Sequence, residues 1–142
     1  MIINIKEMGG KIPEYKTDGA AGADCFARLT ESVTIEPGKR RLIPLGFGVE
    51  IPEGYEMQIR PRSGLAHKNG ISIVNAPGTI DSDYRGEVHA NLLNTDTEPF
   101  VVNNGDRIAQ AVIAPVFRAE WNIVSELSDT ERGTNGFGST GK

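Results

Sequence analysis

Cysteine is almost absent from this chain. Cys25 stands alone, so no internal disulfide can form, and a reducing, cytoplasmic setting is expected. With one cysteine and two histidines, a structural zinc site has too few ligands. No apolar run approaches the roughly 20 residues of a membrane helix, and the opening Met1-Ile2-Ile3-Asn4-Ile5-Lys6-Glu7 lacks the apolar core of a signal peptide. Excess positive charge is missing too. A formal net charge of -4 argues against a broad nucleic-acid surface. It leaves room for a small polyanion wherever Arg62, Arg107 and Arg132 gather. No Ser-His-Asp or Cys-His pattern suggests covalent catalysis.

Helical periodicity is also scarce. What is present instead is a series of short apolar runs cut by 17 glycines and 8 prolines. Strands are predicted over 2–5, 33–35, 41–44, 47–51, 55–61, 71–74, 88–94, 100–102 and 107–115. Turn signals separate them, among them Glu36-Pro37-Gly38, Pro52-Glu53-Gly54, Ala76-Pro77-Gly78 and Asn103-Asn104-Gly105-Asp106. This pattern predicts an all-β sandwich, jelly roll or barrel. One short helix is expected over 63–68, with Ser63 as its cap and Gly70 just past its end. At 142 residues the chain suits one domain, taken as 1–124, followed by a polar, Gly-rich arm over 125–142. No internal repeat is visible.

Four segments concentrate chemistry-bearing side chains. In Arg132-Gly133-Thr134-Asn135-Gly136-Phe137-Gly138-Ser139-Thr140-Gly141, one guanidinium, several hydroxyls and one aromatic ring ride on a glycine-rich backbone. Such a backbone brings N–H groups close to a ligand, and Arg suits a phosphate. A solvated tail without a role is the plain alternative. The segment from Asn75 to Gly86 is long for a hairpin connection. Asp81 follows Ile80 at the expected end of a short strand, where a partly desolvated carboxylate would serve as general base on water. The plain alternative is an Asp that caps a turn. Tyr84 is either a ligand platform or strand packing, and Asn75 either reads a base edge or serves the turn before Pro77.

Pro61-Arg62-Ser63-Gly64 places Arg and Ser at a helix start, which suits phosphate or a simple cap. His67 and His89 read as ordinary surface or packing residues. In Gly105-Asp106-Arg107-Ile108-Ala109-Gln110, Arg107 and Gln110 are three apart. On a regular strand they face opposite sides, and a bulge is needed to bring both to one ligand. Asp24, after Ala21-Gly22-Ala23, is by itself a weak strand-start signal. Together these groups describe a carboxylate, several phosphate-binding donors and a metal carried mainly by the ligand, as in hydrolysis of a nucleoside triphosphate.

The ordered set Ala21-Gly22-Ala23-Asp24, Pro61-Arg62-Ser63-Gly64, the block Gly78 to Gly86, the block Gly105 to Gln110 and the tail resembles the homotrimeric deoxyuridine triphosphatases (dUTP pyrophosphatases). The resemblance implies a jelly-roll-like (β-clip) subunit, a trimer with active sites at subunit interfaces, and Mg²⁺ on the triphosphate. No stable nucleic-acid or membrane partner is implied. By the resemblance, Asp81 activates the attacking water and Tyr84 packs against deoxyribose. Asn75, with the main chain of Gly78, Thr79, Ile80 and His89, forms the uracil pocket. Arg62, Ser63, Gly64 and Gln110 match phosphate-binding positions. Arg132, Ser139 and Thr140 match groups on the terminal phosphate, and Phe137 with Gly138 covers uracil as the arm closes. Asp24 matches a carboxylate near the metal's water shell or the interface, and Arg107 looks structural. Cys25 and Asn135 depart from the usual leucine and glycine. A dCTP deaminase on the same fold would need a glutamate beside the base, for which Glu87 is the candidate.

Overall fold

The computed structural model describes residues 1–136. It has eleven strands and one helix among those residues: β1 (Asn4–Glu7), β2 (Ala23–Phe26), β3 (Val33–Ile35), β4 (Arg40–Pro44), β5 (Phe47–Glu50), β6 (Tyr55–Arg60), α1 (Ser63–Asn69), β7 (Ile71–Ile73), β8 (Gly78–Ile80), β9 (His89–Asn94), β10 (Phe100–Val102) and β11 (Arg107–Pro115). Every strand pairing is antiparallel. The sheets are ordered β2-β11-β6-β8 and β4-β9-β7, with two-stranded ribbons β1-β5 and β10-β3. This is the expected all-β, jelly-roll-like architecture with one short helix.

The alternation read from the sequence sets the layers. On β6, Met57 and Ile59 are buried; on β9, Ala90, Leu92 and Asn94 are buried, and the residues between face outward. Both sheets feed one core, in which Cys25, Ile59, Ala109 and Ala111 of the first meet Ile43, Ile71, Ile73 and Leu92 of the second. Phe47 and Leu45 are fully enclosed. Among the described residues Asn94 is the buried polar side chain. Its amide donates to Ile35 O at 2.9 Å and Glu98 O at 2.8 Å, and its oxygen accepts from Asp96 N at 2.9 Å. The three bonds satisfy it and fix the turn after β9.

Three local expectations change. The first strand lies at Asn4–Glu7, not 2–5, and all four of its residues are exposed. Pairing with β5 at a ribbon edge, including Asn4 Nδ2 to Glu50 at 2.7 Å, outweighs its apolar residues. Ala23–Phe26 is a full core strand, although its small residues gave only a weak signal. The helix begins at Ser63, and Arg62 occupies the cap position with extended backbone and no side-chain cap bond. Ser63 therefore lies inside the first turn and does not cap it. Gly70 ends the helix as expected, at φ 61°.

Candidate active site

Asp24 is the centre of a polar knot at one end of the four-stranded sheet. Its Oδ1 accepts from Arg62 Nε at 3.1 Å and its Oδ2 from Arg107 Nη1 at 3.0 Å. Arg62 Nη1 also donates to Arg107 O at 3.0 Å. These two bonds fix the guanidinium plane and leave Nη2 for an acceptor. Next to Asp24 in the strand register lies Gln110, whose Nε2 donates to Pro61 O at 2.9 Å. Gly22 makes room for it: a Cβ on Gly22 would overlap Gln110 Oε1.

The bulge on which the Arg107–Gln110 spacing depended is present. The β11–β2 register shifts between Arg107 and Ala109, so both side chains serve the Asp24 region. Ser63 and Gly64 follow at the exposed start of α1. The first two motifs in chain order thus meet the fourth, and Arg107 is tied to Asp24.

The hairpin from Gly78 to His89 forms a second cluster. Gly78 pairs with Ile59, and the space where its Cβ would stand is 3.4 Å from Asn75 Nδ2. Asn75 therefore lies against the Gly78 backbone. Thr79 is exposed and Ile80 half-buried. Tyr84 N donates to Asp81 O at 3.2 Å and closes the turn. The Tyr84 ring lies on Gly86, where a Cβ would overlap the phenol oxygen, and its hydroxyl donates to Glu87 O at 2.9 Å. Arg85 folds back, donating to Ser82 O at 2.7 Å and Tyr84 O at 3.1 Å.

Asp81 is exposed, so this chain does not desolvate it. Among the described residues no side chain hydrogen-bonds its carboxylate. It lines a cleft of about 980 Å³ with Thr79, Asp83, Glu56, Tyr55 and Arg118.

One chain does not bring the two clusters together. On β6, Arg60 pairs with Gln110 while Met57 pairs with Ile80. Asp81 continues past Ile80, away from Gln110, so the clusters lie more than roughly 10 Å apart along the strand direction alone.

Two other groups bear on the chemistry. Glu87 accepts from Arg28 Nε at 2.8 Å and Nη2 at 2.9 Å, and from Gly46 N at 2.9 Å. The Arg28 bonds hold its carboxyl below the usual range, with the Gly46 amide adding to this against partial desolvation. A carboxylate locked in this way is not a proton shuttle for deamination. Neither Arg28–Glu87 nor the Gly22–Gln110 contact had a sequence signal, because the partners are far apart in the chain. Burial, with the Asp24 charge adding to it, pushes the Cys25 thiol up to about 12, which excludes a thiolate nucleophile near neutral pH.

Among the described residues no group of three or more His, Cys, Asp or Glu side chains is placed to hold a metal. Asp24 has one guanidinium hydrogen bond on each oxygen. Phe137, Gly138, Ser139 and Thr140 lie outside the described residues. Arg132, within them, donates to Asn135 O at 2.9 Å and touches neither cluster through a hydrogen bond.

Comparison with known proteins supplies the rest. The dUTPase family model matches residues 9–141. The deoxyuridine 5'-triphosphate nucleotidohydrolase of Desulfotalea psychrophila is 58% identical over 130 residues, 92% of this chain and 87% of that one. Its counterpart from Bdellovibrio bacteriovorus is 50% identical over 141 residues, covering 99% and 95%. The Staphylococcus bacteriophage 80alpha dUTPase, solved with dUpNHpp, superposes with a TM-score of 0.89 at 29% identity, covering 99% of each chain. A variant dUTPase of the S. aureus phage phi11, studied for its coordination of a structural Mg(II) ion, gives a TM-score of 0.81 at 25% identity over 91% of this chain. With the ordered motifs, the all-β fold and these relatives in agreement, the chain belongs to the dUTPase family and is a deoxyuridine 5'-triphosphate nucleotidohydrolase.

Proposed function

We propose that this enzyme cleaves dUTP with water to dUMP and pyrophosphate, and that Asp81 orients and deprotonates the water that attacks the α-phosphorus. The new bond joins the water oxygen to that phosphorus, and the bond to the bridging oxygen of pyrophosphate breaks. The observation that carries the assignment is a contrast between carboxylates. Asp24 is neutralised by two guanidinium groups, whereas Asp81 has no cationic hydrogen-bond partner among the described residues and faces the large cleft. A general base needs that availability. The reaction would keep dUTP low and supply dUMP for thymidylate synthesis, in the cytoplasm.

The other residues follow by position. Asn75, with the main chain of Gly78, Thr79, Ile80 and His89, reads uracil, and Tyr84 bounds the sugar. Arg62, Ser63, Gly64 and Gln110 take the phosphates. Arg132, Phe137, Gly138, Ser139 and Thr140 enter this reading from the sequence resemblance. Mg²⁺, when bound, neutralises triphosphate charge. The donor set fits an ion held mainly by substrate phosphates and water, with Asp24 reaching it through water.

The separation of the two clusters supports an active site completed by other copies, as in a homotrimer. So do Phe117, Trp121, Ile123 and Leu127, which are between 88% and 96% exposed on a segment with no strand or helix. The chain exposes 10125 Å², against roughly 7,100 Å² for a compact monomer of this mass. Such an excess suits a subunit with surface still to bury.

The test is pyrophosphate release from dUTP with Mg²⁺, with dTTP, dCTP and UTP as controls. Asp81→Asn is expected to lose about 10²–10⁴-fold in turnover while still binding dUTP. Normal turnover in that variant would refute the base assignment, and pyrophosphate release from UTP or dCTP at the dUTP rate would refute the specificity.

A further inference from the structure

Glu87 joins two networks. Its side chain, 19% exposed, is held by both arms of Arg28 and by Gly46 N–H. Its main-chain oxygen accepts the Tyr84 hydroxyl at 2.9 Å and lies 2.8 Å from His89 Nδ1. The next residue is anchored on both sides: Val88 N donates to Phe47 O at 2.8 Å, and Leu45 N donates to Val88 O at 3.0 Å. On the other side lies Gly86, which has no side chain to hold the backbone and carries the Tyr84 ring. The Glu87 carbonyl shares its peptide plane with Val88 N–H, so the Val88–Phe47 bond and the clamp on the Glu87 side chain together fix the oxygen that holds the ring. Arg28 is itself set by its N–H to Pro44 O at 2.9 Å and by close packing on Gly46, whose φ of 76° and contact with Gly10 admit no side chain.

We propose that Arg28 and Glu87 are positioning residues for sugar selectivity, acting through the Glu87 carbonyl on Tyr84. This rests on the reading of Tyr84 as the boundary of the deoxyribose site. A ribose hydroxyl needs only a small outward movement of the ring. Tyr84 is 41% exposed on its own chain, and besides the hydroxyl bond its ring rests on Gly86. Loosening the clamp admits the ribonucleotide by letting the ring withdraw, without altering any group that touches the phosphates. A tie that serves stability alone would lower the melting temperature and leave the substrate ratio where it was.

The experiment measures kcat/KM for dUTP and for UTP in the full-length enzyme and in Glu87→Gln, Arg28→Met, Arg28→Lys and Tyr84→Ala, with melting temperatures alongside. The dUTP-over-UTP ratio is expected to fall about tenfold in Glu87→Gln and Arg28→Met, chiefly through a lower KM for UTP. Arg28→Lys, which keeps the charge but not the fork, should fall between. Tyr84→Ala should lower the ratio further. If Tyr84→Ala lowers it while Glu87→Gln and Arg28→Met stay within twofold of wild type, the positioning proposal is overturned and the Tyr84 reading stands. If Tyr84→Ala leaves the ratio unchanged, the Tyr84 reading fails and the proposal with it. Should Glu87→Gln not fold, the two Arg28 variants decide, since that side chain is 35% exposed at the surface.

Discussion

Replacing Gly22 by alanine tests whether the Asp24–Arg62–Gln110 cluster is set by the close packing of one glycine on one glutamine. The added Cβ would overlap Gln110 Oε1 and stand 3.1 Å from its Cδ and 3.3 Å from its Cβ. Gln110 is half-buried, so it must swing away and give up its bond to Pro61 O. Overpacking costs about 1–3 kcal/mol and the lost hydrogen bond about 1 kcal/mol. The reduced freedom of the unfolded chain returns about 0.4–1 kcal/mol, as Gly22 does not occupy the left-handed region. The net destabilisation is about 2 kcal/mol. Urea unfolding at fixed protomer concentration measures it, because association contributes to stability. In a Gln110→Ala background the clash with the amide is gone and only the 3.3 Å approach to Cβ remains, so Gly22→Ala should cost less than about 1 kcal/mol. The KM for dUTP should rise in Gly22→Ala with wild-type Gln110, since Pro61 precedes Arg62. Additivity of the two substitutions within about 0.5 kcal/mol would refute the packing argument.

Three further outcomes are expected. Asn94→Leu leaves Ile35 O, Glu98 O and Asp96 N without their partner; it should cost about 3 kcal/mol after partial rehydration and lower the melting temperature by about 10 °C, and a drop under about 2 °C would contradict it. The folded pKa of Glu87 lies below its ordinary 4.5, so its ion pair stabilises fully above that value and is lost as pH falls through the folded value. The stability gap between wild type and Glu87→Gln, followed by denaturant titration, should hold from pH 7 to about 5 and shrink below; a gap that widens in acid would reverse the sign. Deleting 132–142 should reduce turnover by about 100-fold or more while circular dichroism and sedimentation show an intact fold and unchanged assembly; retained turnover would remove the arm from the mechanism.

Strand positions were legible where apolar alternation was strong. Tyr55–Arg60, His89–Asn94 and Arg107–Pro115 fall where the period of two placed them, give or take an end residue. The reading was weakest where side chains are small or where pairing overrides hydropathy. Ala23–Phe26 buries Ala23 and Cys25, which carry little pattern. The first strand is shifted because an edge ribbon is selected by backbone bonds rather than by burial. Ser63 has the right chemistry for a cap but stands one position too late, since the chain turns at Arg62.

The family, and with it the reaction, was carried by short motifs in a fixed order along the chain. Residue types sufficed there because phosphate, base and water each demand particular donors or acceptors. Tertiary structure decided which of those groups are engaged and which are available. It placed both oxygens of Asp24 on arginines, left Asp81 exposed beside a cleft, and used a bulge to bring Arg107 and Gln110 to one region. It also joined Arg28 to Glu87 across 59 positions of chain. Such pairings depend on strand register and on where loops approach, and these are set by the packing of the whole core rather than by neighbours in sequence.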